Sequence, residues 1–215
     1  DGLRTALPNG RPPFAGSRRR QAAAALVLVQ VLRRAAAAEA VMRRLLQALL
    51  RLVALRLLRV RASYSPASVE LLRQGRVIVC ANHVSLLDGV IVALASPVPL
   101  TFGVDTDFSR RSKIASRGMA ALAWLGFGAV VPVDGASPFG IRALLKALDR
   151  GETVMVFPEG RISETGRPQP EQPGVTWLVR RAGAPVLRVR IRGAERSRFF
   201  AKAGRELWPR IEVDF

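Results

Sequence analysis

From Tyr64 onward, short apolar runs typical of buried strands alternate with longer segments of helical periodicity. This alternation predicts an α/β fold over residues 64–215, a single layered domain with a mostly parallel or mixed central sheet flanked by helices. The predicted strands are 77–81, 100–104, 128–133, 153–157, 185–191 and 210–215, and the predicted helices are 86–95, 109–124, 138–149 and 173–182, with a polar loop at 158–171.

The first 63 residues have a different composition. Residues 1–20 are rich in Pro, Gly and Arg, which predicts a flexible basic tail or linker. Residues 21–63 are rich in Ala, Leu and Arg, and we expect a helical, membrane-associating region there. The apolar run 22–32 is too short to span a bilayer.

The second half of this region predicts a basic amphipathic helix. One arc of the helical wheel is apolar, and the opposite side is polar and basic. Such a helix binds an anionic membrane interface, or else its apolar arc packs on the following domain with the arginines in solvent. The apolar arc is Leu46, Leu49, Leu50, Val53, Leu57 and Val60, and the opposite side is Arg43, Arg44, Gln47, Arg51 and Arg61.

The formal net charge of +18 predicts an anionic partner, which is a phospholipid surface, a nucleic acid or an acidic protein. Aromatic residues make up only 6% of the chain and do not interleave with basic ones, which argues against nucleic acid. A single cysteine, Cys80, excludes an internal disulfide, and one His with one Cys argues against a zinc site. We therefore expect an anionic membrane surface as partner, and no metal or cofactor.

The stretch 81–88 contains the only histidine, His83, directly after an apolar run and before a helical pattern. Histidine exchanges protons near neutral pH, and Asp88 follows five residues later. In a continuous helix the two side chains would diverge by about 140°, so they meet only if His83 lies in a turn and Asp88 in the first helical turn. Alternatively, Ser85 and Asp88 form a capping box and His83 is structural.

Polar residues follow four predicted strands, at 82–83, 105–106, 134–135 and 158–161. The carboxyl ends of parallel strands share one edge of a sheet, where open α/β sheets bind ligands. The sequence has no Gly-x-Ser-x-Gly elbow and no Walker loop, which argues against serine hydrolases and P-loop proteins. These features predict a functional site of another kind at that edge.

Two sequence blocks are characteristic, namely Asn82-His83-x-x-x-x-Asp88 and Val156-Phe157-Pro158-Glu159-Gly160-Arg161. They resemble the paired signature of the glycerolipid acyltransferases, the family that includes 1-acylglycerol-phosphate acyltransferase-like proteins. Residues 128–134 and 184–189 resemble two further blocks, and the resemblance covers about residues 64–215. It implies that His83 and Asp88 are catalytic and that Glu159, Gly160, Arg161 and Asn82 bind substrate.

Finer sequence details are similar to those of one branch of this family. Arg161 directly follows Gly160, and Gly193-Ala194-Glu195 occurs later, as in the acyltransferase part of 2-acylglycerophosphoethanolamine acyltransferases. That part is often fused to an acyl-carrier-protein synthetase, and a first residue other than Met fits excision from such a fusion. Gly135 stands where many lysophosphatidate enzymes have Arg, which argues mildly against that acceptor.

The resemblance implies transfer of a fatty acyl group from acyl carrier protein or coenzyme A to a free hydroxyl of a lysophospholipid, in phospholipid synthesis or remodelling. His83 would be the general base and Asp88 its partner. Arg161 and the Gly160 amide would bind phosphate, and Glu159 would hold Arg161 or a substrate hydroxyl. We expect this activity at the cytoplasmic face of the inner membrane. Two alternatives are a membrane-bound thioester or lipid hydrolase using the same pair, and a non-catalytic basic membrane-binding module.

Overall fold

A computed structural model describes residues 15–105, 117, 120, 121, 123–133 and 138–215. The chain divides between Leu46 and Gln47 into two compact units, and the sheet belongs to the second. In chain order the elements are α1 (Ala15–Leu57), β1 (Val60–Ser63), α2 (Pro66–Gln74), β2 (Ile78–Ala81), α3 (Asp88–Ala95), β3 (Leu100–Asp105), β4 (Gly128–Val133), α4 (Pro138–Asp149), β5 (Val154–Val156), α5 (Pro173–Ala182), β6 (Val186–Arg192), a 3₁₀ turn (Ala194–Arg196) and β7 (Ile211–Asp214).

The described strands form one seven-stranded sheet in the order β1-β7-β6-β2-β5-β3-β4. Every neighbouring pair is parallel except β6 and β7, which are antiparallel. The mixed, mostly parallel sheet with flanking helices confirms the predicted fold class. The strands β2, β5, β3 and β4 are consecutive and parallel, so their carboxyl ends lie along one edge.

The central strand β2 shows why this sequence forms a layered sheet. All four of its residues are buried, so both of its faces must be covered. Val79 and Ala81 pack into one apolar core together with Leu72 of α2 and Ile91 of α3. The alternate residues Ile78 and Cys80 pack into a second core, which the helices α4 and α5 cover with Leu144, Leu148 and Leu178.

The N-terminal elements differ from the prediction. The helix begins at Ala15, within the stretch predicted to be a flexible tail, and ends at Leu57. Residues 60–63, predicted to be helical, form the strand β1 instead, since Arg59 has a left-handed φ of 53° that ends the helix and β7 provides a parallel partner. The helix α2 was not predicted, although Ser65 caps it through the Ser68 amide. The predicted helix 109–124 lies largely outside the described residues, and those described at 117, 120, 121, 123 and 124 are helical.

The orientation of α1 separates the two interpretations of its amphipathic pattern. Gln47, on the polar side of the predicted wheel, donates a hydrogen bond to the Leu125 carbonyl. Arg51 is half-buried with its guanidinium 5.4 Å from the centre of the Phe127 ring, and burial lowers its pKa. These contacts contradict the interpretation in which all the arginines face solvent. The predicted apolar arc is divided, because Leu50 packs on the core, whereas its neighbours are exposed, namely Leu46, Leu49, Val53 and Leu57.

Among the described residues, none of the helices has an apolar stretch of the length and hydropathy needed to cross a bilayer.

Candidate active site

Asn82 extends β2 beyond its last residue by means of a side chain. Its Nδ2 donates to the Ile191 carbonyl at 2.9 Å, and its Oδ1 accepts from the Ile191 amide at 2.7 Å. The amide group thereby imitates one more pair of the ladder between β2 and β6. This structural role fixes where the following residue, His83, leaves the sheet. Substrate contact by Asn82 remains a prediction.

His83 and Asp88 have the geometry that the strand, turn and helix pattern predicts. The Nδ1 atom of His83 lies 3.0 Å from Oδ2 of Asp88, which is the first residue of α3. The same Oδ2 accepts from the backbone amides of Val84 at 2.6 Å and Ser85 at 2.7 Å. The carboxylate therefore both closes the turn and binds the imidazole.

The capping interpretation is correct only in part. Asp88 accepts from the Ser85 amide, as the acid of a capping box does. The hydroxyl of Ser85, however, donates to Oδ1 of Asp88 at 2.8 Å and accepts from the Leu87 amide. The helix starts only at Asp88, after Leu87, and has no side-chain cap. Asp88 thus has more partners than a cap requires, and one of them is the sole histidine.

This pairing selects the chemistry of the imidazole ring. A carboxylate on Nδ1 holds the proton at that nitrogen and leaves Nε2 as the acceptor. The Asp88 side chain has no exposed surface, whereas 15% of the His83 side chain is exposed. A reacting molecule can therefore reach the pair only through the imidazole, which is the arrangement of a general base with a buried partner.

Phe157 orients the other side of the ring, a contact that sequence analysis missed. Its ring stacks on that of His83 with centroids 4.0 Å apart and an angle of 14° between the planes. The contact follows from the register of β2 and β5, in which Cys80 is level with Val156, so that the residues after both strands meet. The Ser163 amide also donates to the His83 carbonyl at 2.8 Å. The two signature blocks thus form one structural unit.

Glu159 lies buried beneath this unit. Burial raises the pKa of its carboxyl group, and the backbone amides of His83 and Gln169 oppose that rise only in part. Its Oε2 has no hydrogen-bond partner in the part of the chain that the structure describes. Of the two expected roles of Glu159, pairing with Arg161 is not observed, because Nε of Arg161 donates to Oε1 of Gln169 at 2.9 Å. Contact of Glu159 with a substrate hydroxyl stays a prediction.

The expected role of the Gly160 amide is also corrected. It donates to the Phe157 carbonyl at 3.0 Å and closes a turn, so it does not point freely at a phosphate. Glycine is required there because φ is +67° and a Cβ would lie 2.9 Å from Cγ of Gln172. The turn leaves Arg161 exposed, with its guanidinium at the surface of the loop that follows β5.

Of the two remaining polar strand ends, only Asp105 lies among the described residues. Asp105 is the last residue of β3, at the same edge as His83, and Thr106, Asp134 and Gly135 lie outside the described residues. The common edge is therefore confirmed for the ends of β2 and β5. Within the described ranges, no group of three or more His, Cys, Asp or Glu side chains is placed to hold a metal ion.

Comparison with known proteins gives a family match and a fold match. The sequence profile of the Acyltransferase family matches residues 63–192, more than half of the chain, and this range includes both signature blocks. The fold is similar to that of the 1-acyl-sn-glycerophosphate (LPA) acyltransferase PlsC from Thermotoga maritima, with a TM-score of 0.54 and 18% sequence identity. That likeness covers 80% of this chain and 68% of the other, and it concerns the fold alone.

Proposed function

Because the chain belongs to the Acyltransferase family, we propose that it transfers a fatty acyl group from an acyl thioester to a free hydroxyl of a lysophospholipid. The observation that carries this proposal is the 3.0 Å contact between His83 and the fully buried Asp88. The stacked ring of Phe157 holds the imidazole in place, which favours a fixed proton acceptor over a surface histidine.

The reaction needs a base because an alcohol is a poor nucleophile at neutral pH. Nε2 of His83 takes the hydroxyl proton while the oxygen attacks the thioester carbonyl, a contribution of about 10²–10⁴ in rate. The new C–O bond gives a tetrahedral intermediate, which collapses with cleavage of the C–S bond. The departing thiolate receives the proton from the imidazolium, and Asp88 stabilises that cation in between.

Arg161 is the proposed contact for the acceptor's phosphate. Its side chain is exposed on the loop after β5, and a guanidinium binds phosphate oxygens with two parallel hydrogen bonds. Gln169 already holds its Nε and thereby positions the group. The resemblance of residues 159–161 to the 2-acylglycerophosphoethanolamine acyltransferases further supports an acceptor with an ethanolamine head group. The proposed acyl donor is acyl carrier protein or coenzyme A.

Association with an anionic membrane, at the cytoplasmic face of the inner membrane, is part of the proposal. Its support is the net charge of +18 and the outward arc of α1, where Leu49, Val53 and Leu57 are exposed while Arg51 turns inward. A membrane interface accommodates such an arc because apolar side chains leave water there.

Acyl transfer from a labelled thioester to a panel of lysophospholipids tests the proposal. We expect His83→Ala to abolish transfer and Arg161→Ala to raise the acceptor KM, while Arg180→Ala, an exposed arginine on α5, serves as the matched control. Release of free fatty acid without acylated product would indicate the hydrolase. Transfer that survives His83→Ala would refute the mechanism.

A further inference from the structure

The segment 196–210 exposes large apolar side chains beside the active site. It contains five basic residues and one acidic residue, and its Phe199, Leu207 and Trp208 are 61%, 59% and 46% exposed. Backbone hydrogen bonds order this segment, because Arg198 donates to the Glu206 carbonyl at 2.8 Å and Glu206 donates to the Arg196 carbonyl at 2.9 Å. The segment therefore holds a large aromatic side chain in water at a defined place.

These side chains belong to a larger surface that we call the apolar patch, which consists of Leu57, Leu86, Phe199, Leu207 and Trp208. Nε1 of Trp208 donates to the Leu57 carbonyl at 2.8 Å, and the Leu86 amide donates to the Phe200 carbonyl at 2.8 Å. Leu207 and Trp208 line one shallow, open cleft, and Leu57, Leu86 and Phe199 are each the sequence neighbour of a residue that lines it. These contacts bring the five residues close together around one cleft, and Leu57 connects them to the exposed arc of α1.

The apolar patch adjoins the catalytic pair directly. Leu86 lies in the turn between His83 and Asp88, and Ser85, which lines the cavity, donates to Asp88 at 2.8 Å. Among the described side chains, Arg198 and Arg205 are exposed and no acidic group lies within ion-pair distance of either. Apolar side chains with unpaired arginines at their border complement an anionic bilayer, and a half-exposed tryptophan favours the interface.

We propose that the apolar patch and its arginine border dock on an anionic phospholipid bilayer and place the turn 83–88 at the lipid surface. The inference rests on the proposed function, since a lysophospholipid acceptor resides in that bilayer. It extends the membrane contact from the end of α1 to the segment 196–210 and makes the turn 83–88 part of the membrane-facing surface.

Tryptophan fluorescence tests the docking at a single position. Trp124→Phe combined with Trp177→Phe leaves only Trp208, and Trp124→Phe combined with Trp208→Phe leaves Trp177, which is 48% exposed on α5 and is the matched control. We expect vesicles of equal parts phosphatidylcholine and phosphatidylglycerol to shift Trp208 emission to the blue, and brominated lipid to quench it. Trp177 should stay unchanged. An unquenched Trp208, with or without vesicle binding by the rest of the chain, overturns the proposal.

Substitutions measure how much single side chains contribute to vesicle binding. Phe199→Ser should weaken vesicle binding about tenfold, because burying a large apolar side chain contributes at least that factor. Arg198→Gln should weaken it about fivefold, since each basic residue near an anionic surface contributes about 1 kcal/mol. Trp177→Ser should have no effect. Equal binding by Phe199→Ser and wild type, or self-association through the patch in place of vesicle binding, also overturns the proposal.

Acyl transfer to a short-chain, monomeric lysophospholipid separates the two proposals. Phe199→Ser should retain this transfer and lose transfer to acceptors embedded in vesicles. If wild type transfers acyl groups to neither the monomeric nor the vesicle-embedded acceptor while Trp208 is still quenched, the proposed function is refuted and the docking proposal stands.

Discussion

Replacing Asp88 with Asn tests the catalytic pair without opening a cavity. Oδ2 of Asp88 accepts three N–H groups, so the amide oxygen of Asn must take that position and its NH₂ must face the Ser85 hydroxyl. That hydroxyl then turns to accept a hydrogen bond. The imidazole keeps its partner and its tautomer, and only the negative charge is removed.

The expected effects follow from the contacts. Three charge-assisted hydrogen bonds become neutral at about 1 kcal/mol each, partly offset because no charge is buried, so the free energy of unfolding should fall by about 1–3 kcal/mol. An ion pair at 3.0 Å is worth about 5 kcal/mol at an effective dielectric constant of about 20. If the neutral amide retains roughly half, the transition state loses about 3 kcal/mol and kcat falls about 100-fold.

Steady-state kinetics and thermal unfolding provide the assay. KM for both substrates should be unchanged, because Asp88 has no exposed surface and cannot contact them. Ser85→Ala is the control, since it keeps the carboxylate and its N–H donors and should lose less than about tenfold in kcat. A kcat for Asp88→Asn close to that of wild type, in a folded protein, would show that the charge has no catalytic role.

Three further predictions concern the surroundings of the pair. Gly160→Ala should lower the free energy of unfolding by about 1–2 kcal/mol in denaturant titrations, because φ is +67° and Cβ meets Gln172. Burial raises the pKa of Glu159, so above pH 4.5 the native state binds more protons at this group than the unfolded state does. The melting temperature of wild type, measured relative to that of Glu159→Gln, should therefore fall as the pH rises above 4.5. Burial also raises the pKa of the Cys80 thiol to about 11, so iodoacetamide at neutral pH should label Cys80 only after unfolding, as measured by mass spectrometry.

The sheet could be predicted from sequence because its central strands are apolar on both faces. Residues 77–81 and 153–157 were predicted as strands and are observed as Ile78–Ala81 and Val154–Val156. Such runs identify a strand without knowledge of its neighbours. The strand β1 was missed because only alternate residues of Val-Arg-Ala-Ser are even partly buried, and its pairing with β7 joins residues about 150 positions apart.

The pairing of His83 with Asp88 could be predicted from sequence, but most of the contacts around it could not. The pairing of His83 with Asp88 follows from a local turn and helix, which a sequence pattern contains. The stacking of Phe157 depends on the parallel register of β2 and β5, and the inward position of Arg51 depends on Phe127. Residue type alone does not specify such neighbours.

The contacts between the two signature blocks change how variants of the second block are to be understood. The Glu159 carboxyl accepts a hydrogen bond from the His83 backbone amide, and the Ser163 amide donates to the His83 carbonyl. The Phe157 ring stacks on the imidazole of His83. A block whose only role was phosphate binding would have no reason to contact the base on three sides. The loop after β5 therefore both orients the imidazole and presents Arg161, the proposed contact for the acceptor's phosphate. In steady-state acyl-transfer kinetics, substitutions of Phe157 or Ser163, which contact His83, should lower kcat, whereas Arg161→Ala should mainly raise the acceptor KM.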